Sequence, residues 1–320
     1  MSHTRLTRRR LPLITAVLAT VSVGLVGCGS SDSSSDAVPT GSGDAAASSN
    51  LDSVYADAPI AEAAALLPDS TMAAIKERGV LRVAAALDAP LLSQQDPSNP
   101  DDIEGFDIDL AKMLAIYIIG KPEIQVIPPA SETREALLAN GTVDVVFNTY
   151  TITEERATQI SFAGPYFTSG LAVAVKADND DITGIDDLAG KNVIVGANTP
   201  AVTAVPEKQP TAKVTSFGTD PQAVQALVQG RGDAYVQDYT LLVADAVSNK
   251  DIKVVGDPFT SEPYGIGLPP DDQDFKDFVN DWLQQIEDDG SWAQIWEATL
   301  GTVSDSGAPT PPEIGSVPGS

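Results

Sequence analysis

The sequence predicts an α/β protein with largely parallel sheets, and three observations carry that expectation. Short β-branched runs alternate with helical stretches through the middle of the 320-residue chain. Several of the helical stretches carry one apolar stripe at i, i+3, i+4, i+7 spacing. Glycine, proline and an Asn-Gly pair punctuate the transitions.

Taken in order, Val80–Ala85 reads as the first strand. Gly105-Phe106-Asp107-Ile108-Asp109 opens a helix on which Leu110, Met113, Leu114, Tyr117 and Ile118 share a face. The acids at its start are expected to be solvated. Gly120 and Pro122 stop it, and Ile124–Ile127 follows as a strand. A helix is expected from about Ser131 to Ala139, capped by Asn140-Gly141, and then the strand Val143–Phe147. Further strands begin at Leu171, Asn192, Val214, Ala234 and Ile252. The last helix carries Phe275, Phe278, Val279, Trp282, Leu283 and Ile286 on one stripe and ends at Asp289-Gly290. Trp282, Trp292 and Trp296 are expected in the core. No internal repeat is visible.

The termini differ in composition from this body. Arg5, Arg8, Arg9 and Arg10 precede an uncharged apolar run from Leu11 to Gly27, the pattern of a secretory leader. Leu25-Val26-Gly27-Cys28 resembles the bacterial lipobox, which makes Cys28, the sole cysteine, the lipidated first residue of the mature chain. Residues 28–69 are then expected to be a flexible Ser/Gly-rich tether, and 303–320 a disordered Pro/Gly/Ser tail. Removing the four leader arginines from 19 basic residues leaves 15 against 45 acids, a net charge of −30. Such a surface repels phosphate backbones and argues against a nucleic-acid partner.

The available chemistry is narrow. The sole histidine, His3, lies in the leader, so the mature chain cannot build a Ser-His-Asp or Cys-His site. It also lacks His and Cys ligands for zinc, and neither a metal nor a cofactor is expected. Arg231-Gly232-Asp233 sits at an expected helix-to-strand turn and reads as structural.

Several segments, in order, resemble family 3 of the bacterial extracellular solute-binding proteins, which feed polar amino acids to ABC importers. They are Gly105–Ala111, Arg134–Asp144, Thr149–Arg156 and Phe162–Tyr166, then Asp187–Lys191, Gly232–Asp238, Tyr264–Gly267 and Asp289–Trp292. The resemblance implies a type II periplasmic-binding-protein fold: two α/β lobes joined by two crossover strands, closing on a ligand. It places lobe 1 at 70–167 and 265–302 and lobe 2 at 168–264, with crossings near Phe167–Gly170 and Pro263–Gly265.

An amino-acid ligand brings a carboxylate and an ammonium, and each costs several kcal/mol to desolvate unless it is paired. Arg156, with Thr151 and a helix start near Thr153, supplies a bidentate donor set for the carboxylate. Thr199-Pro200 reads as an N-cap followed by proline at the first helical position. The family uses this loop for further carboxylate contacts, normally with Gly-Thr or Gly-Ser; here Asn198 replaces the glycine. Asp238 matches the family's ammonium acceptor, and taken alone it is a helix cap before Tyr239. Ser131 and Arg134 stand where glutamate and aspartate binders carry serine and arginine. Thr149 and Asp88 complete the expected ligand set. The Asp88 loop, Ala86–Leu91, has alanine where a basic residue is common, which keeps glutamine and asparagine in play. Alanine at Arg156 or Asp238 is expected to leave the unliganded melting temperature nearly unchanged.

The expected function is therefore capture of an acidic amino acid or its amide by a lipid-anchored, extracytoplasmic monomer that delivers it to an ABC permease. The alternatives are a ligand-sensing subunit for a membrane receptor and a cyclohexadienyl-dehydratase-like enzyme on the same fold.

Overall fold

A computed structural model describes residues 51–304 and 306–320; the leader, Cys28 and the first part of the tether lie outside the described residues. Among the described residues no helix is long and apolar enough to cross a membrane.

Thirteen strands are present among the described residues. The first lobe contains β1 (Leu81–Ala84), β2 (Asp88–Ala89), β3 (Ser93–Gln95), β4 (Ile103–Glu104), β5 (Ile124–Ile127), β6 (Val145–Val146) and β7 (Ser161–Ser169). The second contains β8 (Leu171–Lys176), β9 (Asn192–Gly196), β10 (Lys213–Phe217), β11 (Ala234–Asp238) and β12 (Ile252–Val255), and β13 (Glu262–Leu268) returns to the first. The two main sheets have the orders β5-β1-β6-β13-β7 and β10-β9-β11-β8-β12. Three adjacent strands of each run parallel, as the alternation of strands and helices predicts. In each sheet one strand, β13 in the first and β8 in the second, runs against the other four, so antiparallel pairs are mixed with the parallel ones. In the first sheet the reason is topological: β7 leaves for the second lobe and β13 comes back, so they cannot share a direction.

These two strands pair from Glu262↔Ser169 to Leu268↔Ser161 and form the crossing. Gly170 lies at its tightest point, where a Cβ would collide with the Thr260 carbonyl and the Pro258 ring.

Each sheet is covered on both faces. In the first lobe the helices Phe106–Ile119, Gln273–Asp288 and Ser291–Ala298 pack one side into the main core. Leu138, Tyr150, Ile152 and Phe162 fill the other. The stripe Phe275, Phe278, Val279, Trp282, Leu283 and Ile286 is buried, each side chain contributing roughly 1.5–3 kcal/mol. Asp272 caps that helix by accepting from Phe275 N–H. Trp282, Trp292 and Trp296 are core residues, as expected.

Three expectations change. Asp107 and Asp109 are buried at 1% exposure rather than solvated. Asp107 lies three residues before Leu110 and Asp109 four before Met113, so both fall on the inward stripe. The flexible segment expected up to residue 69 ends earlier: Val54 is in the core and the Tyr55 hydroxyl donates to Asp109 at 2.7 Å. The tail, expected to be disordered, lies against the first lobe instead. Ile314 and Val317 pack on its apolar clusters, and Gly315 N–H donates to the Gly164 carbonyl at 2.9 Å. Pro309, Pro311 and Pro312 restrict the unfolded chain, so few contacts suffice to hold this segment.

Candidate functional site

A cavity of about 380 Å³ lies between the lobes. Asp88, Ser131, Arg134, Thr149, Thr151, Arg156, Thr199 and Asp238 all line it, so residues scattered over 150 positions converge on one cleft. Of the expected ligand residues only Asn198 does not line the cavity, and it contacts the arginines that do.

The first lobe supplies two buried guanidinium groups. Arg156 sits in a four-residue helix, Glu154–Ala157, whose N-cap is Thr153, since the Thr153 hydroxyl accepts from Arg156 N–H at 3.2 Å. Its Nη1 donates to the Thr151 carbonyl and its Nη2 to the Asn198 carbonyl, each at 2.6 Å. Arg134 begins the helix Arg134–Ala139, preceded by a 3₁₀ turn over Ser131–Thr133 rather than the continuous helix expected. Arg134 donates to the carbonyls of Ser131, Asn148 and Asn198 at 3.0, 3.4 and 3.3 Å. Both guanidinium carbons lie over the Tyr150 ring, at 4.3 and 4.7 Å from its centroid. Burial, reinforced by the neighbouring Arg156, pushes the Arg134 pKa down to about 10, which still leaves it charged at neutral pH. Each guanidinium has five N–H donors, so each keeps donors for a ligand.

Glu135 balances one of these charges. Its carboxylate accepts from Tyr150 OH at 2.7 Å and lies 3.6 Å from Arg156 Nε. Burial alone would raise its pKa, but the Tyr150 hydrogen bond, its own backbone N–H and the two guanidiniums together lower it. Glu262 also lines the cavity and is a second carboxylate acting on Arg156, so two cations are set here against two anions.

Asp107 acts from behind. Its Oδ2 accepts from Thr149 N–H at 2.8 Å and its Oδ1 from Tyr166 OH at 2.7 Å. Thr149 has φ +44°, a left-handed backbone that costs a threonine energy, and Asp107 holds it there. Burial pushes Asp107 up to about 6 against the pull of both hydrogen bonds.

The second lobe supplies acceptors. Asp238 ends β11 and its Oδ1 takes the N–H groups of Thr240 (2.9 Å) and Leu241 (3.3 Å), capping the helix Tyr239–Ser248. Ser169 and Tyr264 hydroxyls donate to the same oxygen. Oδ2 is buried without a protein partner. The helix-cap and ligand-acceptor readings of Asp238 thus belong to different oxygens of one carboxylate. Burial pushes its pKa up to about 7, only partly offset by the Tyr264, Ser169 and backbone hydrogen bonds.

Thr199 does not cap its helix, which runs Ala201–Lys208; its hydroxyl donates back to the Gly196 carbonyl at 2.8 Å. A Cβ on Gly196 would come within 2.8 Å of Thr199 Cγ2 and Gln237 Nε2, so glycine lets the strand end close against the cleft.

Sequence reasoning missed Asp107, Glu135, Tyr150 and Glu262, the last of which lines the cavity near Arg156. The signal for the first was present in its place on the apolar stripe; for the others none was. One wall of the cavity also holds Asp88 from the first lobe and Asp220 from the second. Burial raises Asp220, which accepts from Tyr235 OH at 2.7 Å, and burial together with Asp220 raises its partner Asp245. Among the described residues no group of three or more His, Cys, Asp or Glu side chains could hold a metal ion.

Two α/β lobes, a paired crossing and an interlobe cavity lined by buried arginines and by carboxylates suit a protein that binds a small charged solute. The sequence profile of the bacterial extracellular solute-binding proteins, family 3, matches residues 81–302. The chain is 34% identical over 229 residues to the ABC transporter glutamine-binding protein GlnH of Bacillus subtilis, covering 71% of this chain and 83% of that one. It is 33% identical over 246 residues to the glutamate-binding protein GluB of Corynebacterium glutamicum, covering 73% and 82%. The solved structure of an ancestral arginine-binding protein bound to glutamine superposes with a TM-score of 0.65 at 34% identity, covering 70% of this chain and 99% of that one. The protein belongs to family 3 of the bacterial extracellular solute-binding proteins.

Proposed function

We propose that this protein captures a polar amino acid, an acidic one or its amide, outside the cytoplasmic membrane and delivers it to an ABC permease. The observation that carries this reading is the placement of Arg156 and Asp238 on one cavity from opposite lobes. Arg156 has donors left for an α-carboxylate, and Asp238 Oδ2 is a buried acceptor for an ammonium. An amino acid carries both charges, so closure pairs each. The names of the relatives, binders of glutamine and of glutamate, support the same ligand class. The reading is of a binding protein and not an enzyme, acting as a monomer.

Within that class the amide is favoured. Asp88, an exposed residue, lines the cavity as an acceptor. An amide can donate to Asp88 and accept from Arg134, whereas a side-chain carboxylate adds a like charge. Calorimetry with glutamine, asparagine, glutamate and aspartate tests this, with glutamine or asparagine expected to bind most tightly. Binding of none of the four would overturn the function; tighter binding of glutamate than glutamine would overturn the role of Asp88. In Arg134→Ala the preference is expected to move a further tenfold or so, about 1.4 kcal/mol, away from the carboxylate ligands. Equal losses for all four would mean that Arg134 only braces Ser131, Asn148 and Asn198.

The lipobox and Ser-rich segment support anchoring through a lipidated Cys28 on the outer face of the membrane. Cys28→Ser is expected to move the protein from the membrane fraction to the soluble one with ligand affinity intact. Retention of the variant on membranes after an alkaline wash would refute the anchor.

A further inference from the structure

Asn198 joins the two lobes by direct hydrogen bonds. It follows β9 in the second lobe and has φ +52°, a left-handed conformation that asparagine tolerates better than other residues with a Cβ. In that pose its carbonyl accepts from Nη2 of Arg156 at 2.6 Å and from Nη2 of Arg134 at 3.3 Å. Its side-chain Nδ2 donates to both oxygens of Glu135, at 3.3 and 3.2 Å, and to the Ser131 carbonyl at 3.3 Å. All of these partners belong to the first lobe. One residue of the second lobe thus offers an acceptor to two buried cations and a donor to the anion between them. Nearby, Ser131 N–H donates to the Gly218 carbonyl at 3.3 Å, so the same turn of the first lobe is gripped twice.

The partners are held ready for it. Glu135 is fixed by Tyr150 and Arg156, and both arginines are stacked on Tyr150. Little side-chain entropy remains to be lost when Asn198 arrives. Hydrogen bonds to charged groups are stronger than neutral ones, and here three ionised side chains are involved. None of these bonds survives separation of the lobes, so their whole free energy favours the closed arrangement over the open one.

We propose that Asn198 is an interlobe latch, which sets the fraction of protein closed before an amino acid binds and slows release afterwards. The closed fraction does not depend on the ligand proposed above; the release rate does. A larger closed fraction raises apparent affinity in proportion, up to the point where most of the population is closed. Bonds made only on closure act mainly on the rate of opening, and hence on dissociation.

Asn198→Gly isolates the side chain. Glycine accepts φ +52° without cost and keeps the carbonyl that the arginines use, so only the bonds to Glu135 and Ser131 disappear. Asn198→Asp keeps the size and places a carboxylate against Glu135. The readout is the distance distribution between spin labels on Asp101→Cys in the first lobe and Glu207→Cys in the second, both exposed positions, in the full-length lipidated protein. Without amino acid, Asn198→Gly is expected to shift population to longer distances and Asn198→Asp to shift it further. Saturating glutamine is expected to return both toward the wild-type distance. Glutamine release, followed by chasing labelled glutamine with excess unlabelled, is expected to be roughly tenfold faster in Asn198→Gly, about 1.4 kcal/mol. Circular dichroism confirms folding of each variant, and Asn198→Asp takes the place of a glycine variant that fails to fold. A wild-type distance distribution in folded Asn198→Gly would overturn the latch. If wild type binds no amino acid but the glycine variant still opens, the latch stands and the ligand assignment falls.

Discussion

Arg156→Ala is expected to weaken amino-acid binding by thirtyfold or more, the larger of two losses at the centre of the cleft. Removing one partner of a desolvated charge pair costs on the order of 2–5 kcal/mol, much of it from the charge left behind, and 2 kcal/mol is already about thirtyfold. Arg156 is 6% exposed, and its two Nη atoms are anchored on the Thr151 and Asn198 carbonyls, so its remaining donors are pre-aimed. Arg156→Lys keeps the charge but loses the planar fork, and is expected to recover only part of the affinity. The structure also changes what alanine does to the free protein. Arg156 supports Glu135 and two carbonyls, so the melting temperature is expected to fall rather than stay constant. Calorimetry of wild type, alanine and lysine variants checks the order; near-normal affinity in Arg156→Ala would remove it from the ligand site.

Asp238→Asn is expected to cost a comparable thirtyfold in affinity at pH 8 and to erase a pH dependence that wild type shows. Alanine is the wrong probe here, because it deprives Tyr264, Ser169 and two helix N–H groups of their acceptor. A lost cap alone costs about 0.5–2 kcal/mol, so an unchanged melting temperature is no longer expected for that variant. Asparagine keeps Oδ1 as acceptor and replaces the buried, unpartnered Oδ2 with an amide. The sign follows from burial, which holds the native carboxyl near 7 while an unfolded aspartate titrates near 3.9. Between those values the native state binds more protons than the unfolded one. The contribution of this group to stability is therefore fully present below about pH 4 and lost as pH rises through 7. Ligand binding runs the other way, since the ammonium needs an ionised acceptor. Wild-type affinity is expected to be about thirtyfold weaker at pH 5.5 than well above 7, given a group near 7. Asp238→Asn is expected to show flat affinity over this range and a melting temperature that gains on wild type as pH rises from 5 to 8. Parallel pH profiles in the two proteins would place the titration on another carboxyl, of which Asp107, also pushed up to about 6, is the nearest in character.

Much of the architecture is legible in the sequence. Strand and helix positions follow from local periodicity, which is a property of neighbours in the chain: the stripe from Phe275 to Ile286 is buried because its spacing permits one buried face. Arg156, Asp238 and the other residues proposed to meet the ligand could be named because short motifs around them resemble a family. What neither spacing nor motif carries is the company a polar group keeps. Asp107 and Asp109 look in sequence like the solvated acids of any helix start, yet both are buried, one holding Thr149 and the other Tyr55. Glu135 reads as one more surface acid beside Arg134, and in space it neutralises an arginine twenty-one residues away.

By itself, then, the sequence determined the α/β elements and offered two opposite charges suited to an amino acid. Tertiary structure alone decided that Asn198 bridges the lobes, that the tail packs instead of waving free, and that Asp238 divides its oxygens between a helix and the cleft. The physical reason is that propensity and periodicity act over a few residues, whereas desolvation and charge pairing depend on which distant groups share the same small volume.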